Sequence, residues 1–60
     1  NAAEKEIKAR YALYAGLCFE TLKDKENAAK KFEEVVNLSP FSDVSDMAKA
    51  GLTRLGIQID

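Results

Sequence analysis

The stretch ALYAGLCF at residues 12–19 decides how this chain folds, together with a later pair formed by Ala28 and Phe32. Gly16 precedes Phe19 by three residues and Ala28 precedes Phe32 by four, so small and aromatic side chains share a helix face. Side chains this small let two helices approach closely. We therefore predict that two helices pack through Gly16 and Ala28, with Phe19 and Phe32 filling the space above them.

Hydrophobic periodicity predicts three helices and no strand. Apolar residues recur at helical spacing over about residues 3–22, 25–38 and 44–55, and no useful length alternates with period two. In the first segment they cover an arc of roughly 200°, which leaves out Leu13 and Leu17. The arc contains Ile7, Tyr11, Ala12, Ala15, Gly16, Cys18, Phe19 and Leu22. The sequence thus predicts an all-α fold.

The breaks between these segments carry helix start and stop signals. The Asp24 carboxylate is placed to cap the second helix, and Ser42 or Asp43 to cap the third. Pro40 disfavours helix at the residue before it, which ends the second helix. Gly56 suits the left-handed conformation that closes a helix. Because the connections are short, we expect consecutive helices to be antiparallel and in contact.

The spacing of small and aromatic residues resembles the tetratricopeptide repeat, an antiparallel helix-turn-helix unit of 34 residues that stacks into α-solenoids. The residues that carry the resemblance are Ala12, Ala15, Gly16, Phe19, Ala28, Phe32 and Pro40. Ala12 and Ala15 depart from the pattern, because the family has a large residue and a leucine there. The register places one repeat at residues 9–42 and a terminal or capping helix at about 43–56, within a single unit spanning 1–60.

A second copy of the pattern begins after Pro40. Gly51 stands 35 residues beyond Gly16, which is one residue more than the period of the repeat. Its neighbours extend the match: Met47, Ala50 and Leu52 stand the same distance beyond Ala12, Ala15 and Leu17. The resemblance therefore indicates one complete repeat followed by a helix that either caps the array or opens another repeat.

The resemblance implies a protein-protein interaction module or scaffold. Positions two, five, nine and twelve of such repeats face a concave groove, and here they are Arg10, Leu13, Leu17 and Glu20. An apolar groove of this kind favours an amphipathic helix or a hydrophobic peptide of a partner protein. Lysine and asparagine, with which some members grip a C-terminal carboxylate, are replaced here by the two leucines. A preceding repeat or a second copy of the chain, giving a homo-oligomer, is the alternative cover for Leu13 and Leu17.

Charge and composition exclude several other functions. Nine basic against ten acidic residues give a net charge of −1, which lacks the basic excess of a nucleic-acid binder. The longest apolar run, residues 11–18, is far shorter than the roughly 20 residues of a membrane span. With no histidine and one cysteine, we expect neither a disulfide nor a metal site. Tyr11 and Tyr14 are expected in a core or interface.

No set of residues predicts catalysis, so we expect no enzyme and no cofactor. Glu33 and Glu34 beside Lys30 and Lys31 fit a solvated helix face, with Lys30 and Glu34 at a stabilising i,i+4 spacing. Cys18 lies in the apolar arc and is expected to be a buried small hydrophobe.

The alternative function is a helical dimerisation or accessory segment of a larger enzyme or envelope lipoprotein, without a groove of its own. The turn from Pro40 to Ser42 is similar to a repeat variant of bacterial envelope assembly and cell-division factors. Because the chain begins with Asn1, we interpret it as an internal or processed piece. A single cysteine fits both the cytoplasm and the bacterial periplasm.

Overall fold

The computed structural model describes residues 2–57, with the side chains of residues 3–57. It contains the helices α1 (Ala2–Thr21), α2 (Lys25–Leu38) and α3 (Asp43–Arg54), and residues 2–57 form no strand. The predicted all-α class is confirmed, and each helix begins and ends within one residue of its predicted segment.

The helix starts follow the predicted capping. Asp24 accepts a hydrogen bond from the backbone N–H of Asn27 at 3.3 Å and a second from its side-chain amide at 2.7 Å. Of the two candidates for α3, the cap is Ser42, whose hydroxyl accepts from the backbone N–H of Ser45 at 3.3 Å. Each cap satisfies one of the amides that the first turn of a helix leaves unpaired.

α1 and α3 end in the same way. Gly56 has the predicted left-handed conformation, with φ of 83°. At the end of α1 the equivalent position is Lys23, with φ of 62°. In both cases the left-handed residue and the one after it donate backbone hydrogen bonds back to the last helical turn: Lys23 to Glu20 and Asp24 to Phe19, then Gly56 to Thr53 and Ile57 to Leu52. This is a Schellman termination, which the sequence shows only at the glycine.

The core is centred on the ring of Phe32, which is fully buried between α1 and α3. A Cβ atom built on Gly16 would lie 2.7 Å from Phe32 Cε1, and one built on Gly51 would lie 2.6 Å from Phe32 Cε2. Both distances are shorter than any ordinary van der Waals contact. Gly16 of α1 and Gly51 of α3 therefore pack against opposite edges of the Phe32 ring. The remaining buried apolar residues are Ala9, Ala12, Leu13, Ala28, Ala29, Val35, Val44, Ala48 and Leu52.

Each helix contacts the other two, and α2 lies against both α1 and α3. Of the four residues predicted to pack between helices, Gly16 and Phe32 are in contact, Ala28 is fully buried, and Phe19 is partly buried against the core.

The face that α1 turns to the core differs from the predicted arc. Leu13, which the arc left out, is buried with only 3% of its surface exposed. Four residues inside the arc are exposed instead: Ile7, Tyr11, Cys18 and Leu22. The reason is steric, because the Phe32 ring reaches α1 only where Gly16 leaves room. That contact sets the rotation of α1 and brings Ala9 and Leu13 to the core side.

Candidate functional site

α1 carries a second apolar face, opposite the one that it packs into the core. Its large members are Ile7, Tyr11, Tyr14 and Leu22, which are 56%, 69%, 56% and 74% exposed. Leu22 continues the helical turn, since its N–H donates to the carbonyl of Cys18 at 3.0 Å. We name this face the outer stripe and define it as Ala3, Ile7, Tyr11, Tyr14, Cys18 and Leu22.

The spacing of the outer stripe explains why it faces away from the core. Its members are separated by three or four residues, so they lie within about 100° of the helix circumference. Gly16, which contacts Phe32, projects to nearly the opposite side of the same helix. Ala9, Ala12 and Gly16 are therefore buried, while Tyr11 and Tyr14 meet solvent.

The first half of the outer stripe borders a shallow, open depression. It is lined by Ala3, Glu6, Ile7, Arg10, Tyr11 and Tyr14. Because all six residues belong to α1, the depression is a furrow along one helix and has no second wall. Small-molecule sites are concave and enclose most of their ligand. A furrow on a single helix instead fits a second helix laid along it.

Charged residues follow both edges of the outer stripe. Glu6 and Arg10 lie along one edge, and Glu4 and Lys8 along the other. Each edge carries one acidic and one basic residue, so neither has the excess of positive charge that binding to a nucleic-acid phosphate backbone requires. Beyond Arg10 the stripe has uncharged edges as far as the end of α1. The N-terminal half of α1 is thus charged at its edges and the C-terminal half is not.

The predicted groove of Arg10, Leu13, Leu17 and Glu20 is not one surface. The prediction for Leu13 is wrong, since this side chain is buried in the core and cannot contact a partner. Leu17 is 38% exposed, at the edge of the surface. Arg10 is exposed and lines the furrow beside the outer stripe.

Glu20 is engaged within the chain. Its carboxylate accepts two hydrogen bonds from Arg54 at the end of α3, one from Nε at 2.9 Å and one from Nη2 at 2.8 Å. These charge-assisted bonds lower the pKa of Glu20, against a smaller opposing effect of desolvation. The pair joins the C-terminal ends of α1 and α3, so Glu20 has a structural partner.

Two other expectations for α1 and α2 are revised by the structure. The thiol of Cys18 is exposed and not buried. Of the two places expected for Tyr11 and Tyr14, the core is excluded, and an interface stays a prediction. On the polar face of α2, which is largely solvated as expected, the ion pairs are Lys30 with Glu26 at 3.8 Å and Lys31 with Glu34 at 3.6 Å.

Sequence reasoning missed the outer stripe because it merged two faces of α1 into one wide arc. Side-chain size separates them in part, since the buried face holds Ala9, Ala12 and Gly16 beside Leu13, whereas the stripe holds two tyrosines, an isoleucine and a leucine. It also missed Phe41 in the turn between α2 and α3, whose side chain is fully exposed.

Within residues 2–57, no helix is long and apolar enough to cross a membrane. Over the same residues, histidine, cysteine and acidic side chains form no group of three or more that could hold a metal ion.

No known protein family matches the chain, and neither a curated protein nor a solved structure is significantly similar to it.

Proposed function

We propose that the chain is a protein-protein interaction module that binds an apolar helix of a partner protein along the outer stripe of α1. The observation that carries the proposal is the exposure of four large apolar side chains on one helix face, opposite the face that forms the core. Contiguous apolar surface of this kind marks interaction sites in folded proteins. Tyrosine, which supplies two of the four side chains, is enriched in protein interfaces.

The proposal includes the repeat architecture. α1 and α2 form the helix pair of one tetratricopeptide-like repeat, and α3 either caps the array or opens another unit. The positions of Gly16 and Gly51 support this reading, because glycines 35 residues apart each abut the ring of Phe32. The similar ends of α1 and α3, at Lys23 and Gly56, support it as well.

The binding face differs from the groove that the family resemblance implies. Leu13 is buried and Glu20 is held by Arg54, so half of the groove positions are occupied within the chain. The same observation favours the second candidate function, in which the chain is a dimerisation or accessory segment of a larger protein. In both cases the outer stripe is the contact surface, and the proposal assigns it neither a cofactor nor a catalytic residue.

A labelled amphipathic peptide with leucines spaced by three and four residues tests this proposal. We expect it to bind the 60-residue chain. Binding is measured by fluorescence anisotropy, at chain concentrations at which the chain does not associate with itself. The double change Tyr11→Ser with Tyr14→Ser should weaken binding by about 2 kcal/mol, the size of an interface hot spot.

The matched control is Phe41→Ser, which removes an exposed aromatic side chain that does not line the furrow. We expect this variant to bind as the parent chain does. Circular dichroism should show unchanged helix content in both variants, because all three side chains are exposed. Equal loss of binding in the control and in the tyrosine variant would refute the assignment of the site to the outer stripe.

A further inference from the structure

We infer that the helix received by the outer stripe is α1 of a second copy of the chain, in an antiparallel dimer with twofold symmetry. The inference rests on the proposed role of the outer stripe as a protein-binding surface, and it names the partner.

The spacing of the residues in the outer stripe is the same in both directions along α1. From Ala3 to Leu22 its members follow one another at intervals of four, four, three, four and four residues. In a twofold interface, residue i contacts residue j of the other copy, and j contacts i. A symmetric set of intervals meets this condition in one antiparallel register. Tyr11 then faces Tyr14 of the other copy, Ile7 faces Cys18, and Ala3 faces Leu22.

The edges of the stripe are compatible with this register. The charged edge positions lie at or before Arg10, and the corresponding positions after it are uncharged. Twofold antiparallel pairing sets each edge against the same edge of the other copy, so Lys8 lies beside Ala15 and Arg10 beside Leu17. The long stems of Lys8 and Arg10 can cover this apolar surface while their charges remain in water.

The area is sufficient for a weak dimer. The four large side chains are 56%, 69%, 56% and 74% exposed. With about 200 Å² for each side chain, complete burial of their exposed parts removes roughly 500 Å² per copy and about 1,000 Å² in the pair. Totals below about 1,200 Å² are typical of weak, transient interfaces. The helix of 20 residues is about 30 Å long, and the stripe follows it from Ala3 to its C-terminal end, so two copies can pair along most of this length.

The first test is the mass of the 60-residue chain in solution. We expect sedimentation equilibrium to show a dimer at about 50 µM, because interfaces below about 1,200 Å² are weak. The double change Tyr11→Ser with Tyr14→Ser should raise the dimer dissociation constant at least about 30-fold. The variant Ile7→Glu should have a similar effect, and Phe41→Ser should have none.

The second test fixes the direction of the helices with a thiol cross-linker too short to span 10 Å. In the antiparallel register the two Cys18 residues are 11 residues apart along the helix axis, or about 16 Å, and stay unlinked. The change Ile7→Cys places a new thiol opposite Cys18 of the other copy, and we expect a covalent dimer. The control Ile7→Cys with Cys18→Ser should remain unlinked.

The possible results separate this inference from the proposed function. A chain that remains monomeric at a few hundred micromolar, or a dimer unaffected by the tyrosine changes, overturns the self-pairing. Efficient linkage of Cys18 to Cys18 in the parent chain indicates parallel helices and overturns the register. If the chain is monomeric but still binds the amphipathic peptide through Tyr11 and Tyr14, another protein is the partner and only the proposed function stands.

Discussion

The contact between Phe32 and the two glycines predicts an unusual response to the change Gly16→Ala. At an exposed position inside a helix this change stabilises a protein by about 1 kcal/mol, because alanine has the higher helix propensity. Here the new methyl carbon would lie 2.7 Å from Phe32 Cε1 and 2.8 Å from Cδ1. The ring would have to move by almost 1 Å to restore a normal contact.

The ring has no free space on its other side. Gly51 lies so close that a Cβ atom there would be 2.6 Å from Phe32 Cε2, and the side chain of Phe32 is fully buried. Overpacking of this kind costs about 1–3 kcal/mol. After subtraction of the gain in helix propensity, we expect Gly16→Ala to destabilise the chain by about 0–2 kcal/mol.

A double-mutant cycle with Phe32→Leu isolates the contact, because leucine lacks the ring atoms that the new methyl group would meet. In the Leu background we expect Gly16→Ala to stabilise the chain by about 1 kcal/mol, so the coupling energy between the two positions is about 1–3 kcal/mol. Urea and thermal unfolding followed by circular dichroism measure it, since 1 kcal/mol shifts the midpoint by about 4–8 °C in a domain of this size.

The measurement should be made at low micromolar concentration, where self-association adds little to the apparent stability. Stabilisation by about 1 kcal/mol in both backgrounds, with no coupling, would refute the packing of Phe32 against Gly16.

Other predictions concern α1 and its ends. Leu13→Ala should lower the free energy of unfolding by about 2–5 kcal/mol, because Leu13 is buried. The same change at the more exposed Leu17 should cost less than half as much. Equal effects in urea unfolding would contradict the orientation of α1. Lys23→Gly should raise the free energy of unfolding by about 0.5–1 kcal/mol, because Lys23 has φ of 62° and glycine adopts this left-handed conformation without steric cost. A thermal midpoint at or below that of the parent would contradict the left-handed termination. The Arg54 hydrogen bonds lower the pKa of Glu20, so this pair stabilises the fold above the unfolded carboxyl pKa of about 4.3 and loses its effect as pH falls through the lower folded value. Arg54→Gln should therefore lower the free energy of unfolding by about 0.5 kcal/mol at neutral pH, given the exposure of the pair. In urea titrations below the folded pKa of Glu20, variant and parent should be equally stable. A difference in stability that persists at that pH would exclude the ion pair as its cause.

Local signals in the sequence predict the secondary structure of this chain well. Asp24 and Ser42 cap α2 and α3 because their oxygens lie beside amides that need a partner, and this depends only on neighbouring residues. Gly56 closes α3 for a similar local reason. Lys23 closes α1 without such a signal, because it adopts the left-handed conformation although it is not a glycine. Capping and periodicity thus predict the bounds of α2 and α3, whereas periodicity alone predicts the end of α1.

The orientation of α1 is what only the tertiary structure decides. α2 and α3 each have one apolar face, so their periodicity also identifies the side that is buried. α1 has apolar residues on two opposite faces, and hydrophobicity alone does not choose between them. Close packing chooses the face with the smallest residues, because the Phe32 ring can reach the backbone only at Gly16. That choice buries Leu13 and leaves Tyr11 and Tyr14 in solvent, which is why the candidate binding surface becomes visible only after three helices are packed together.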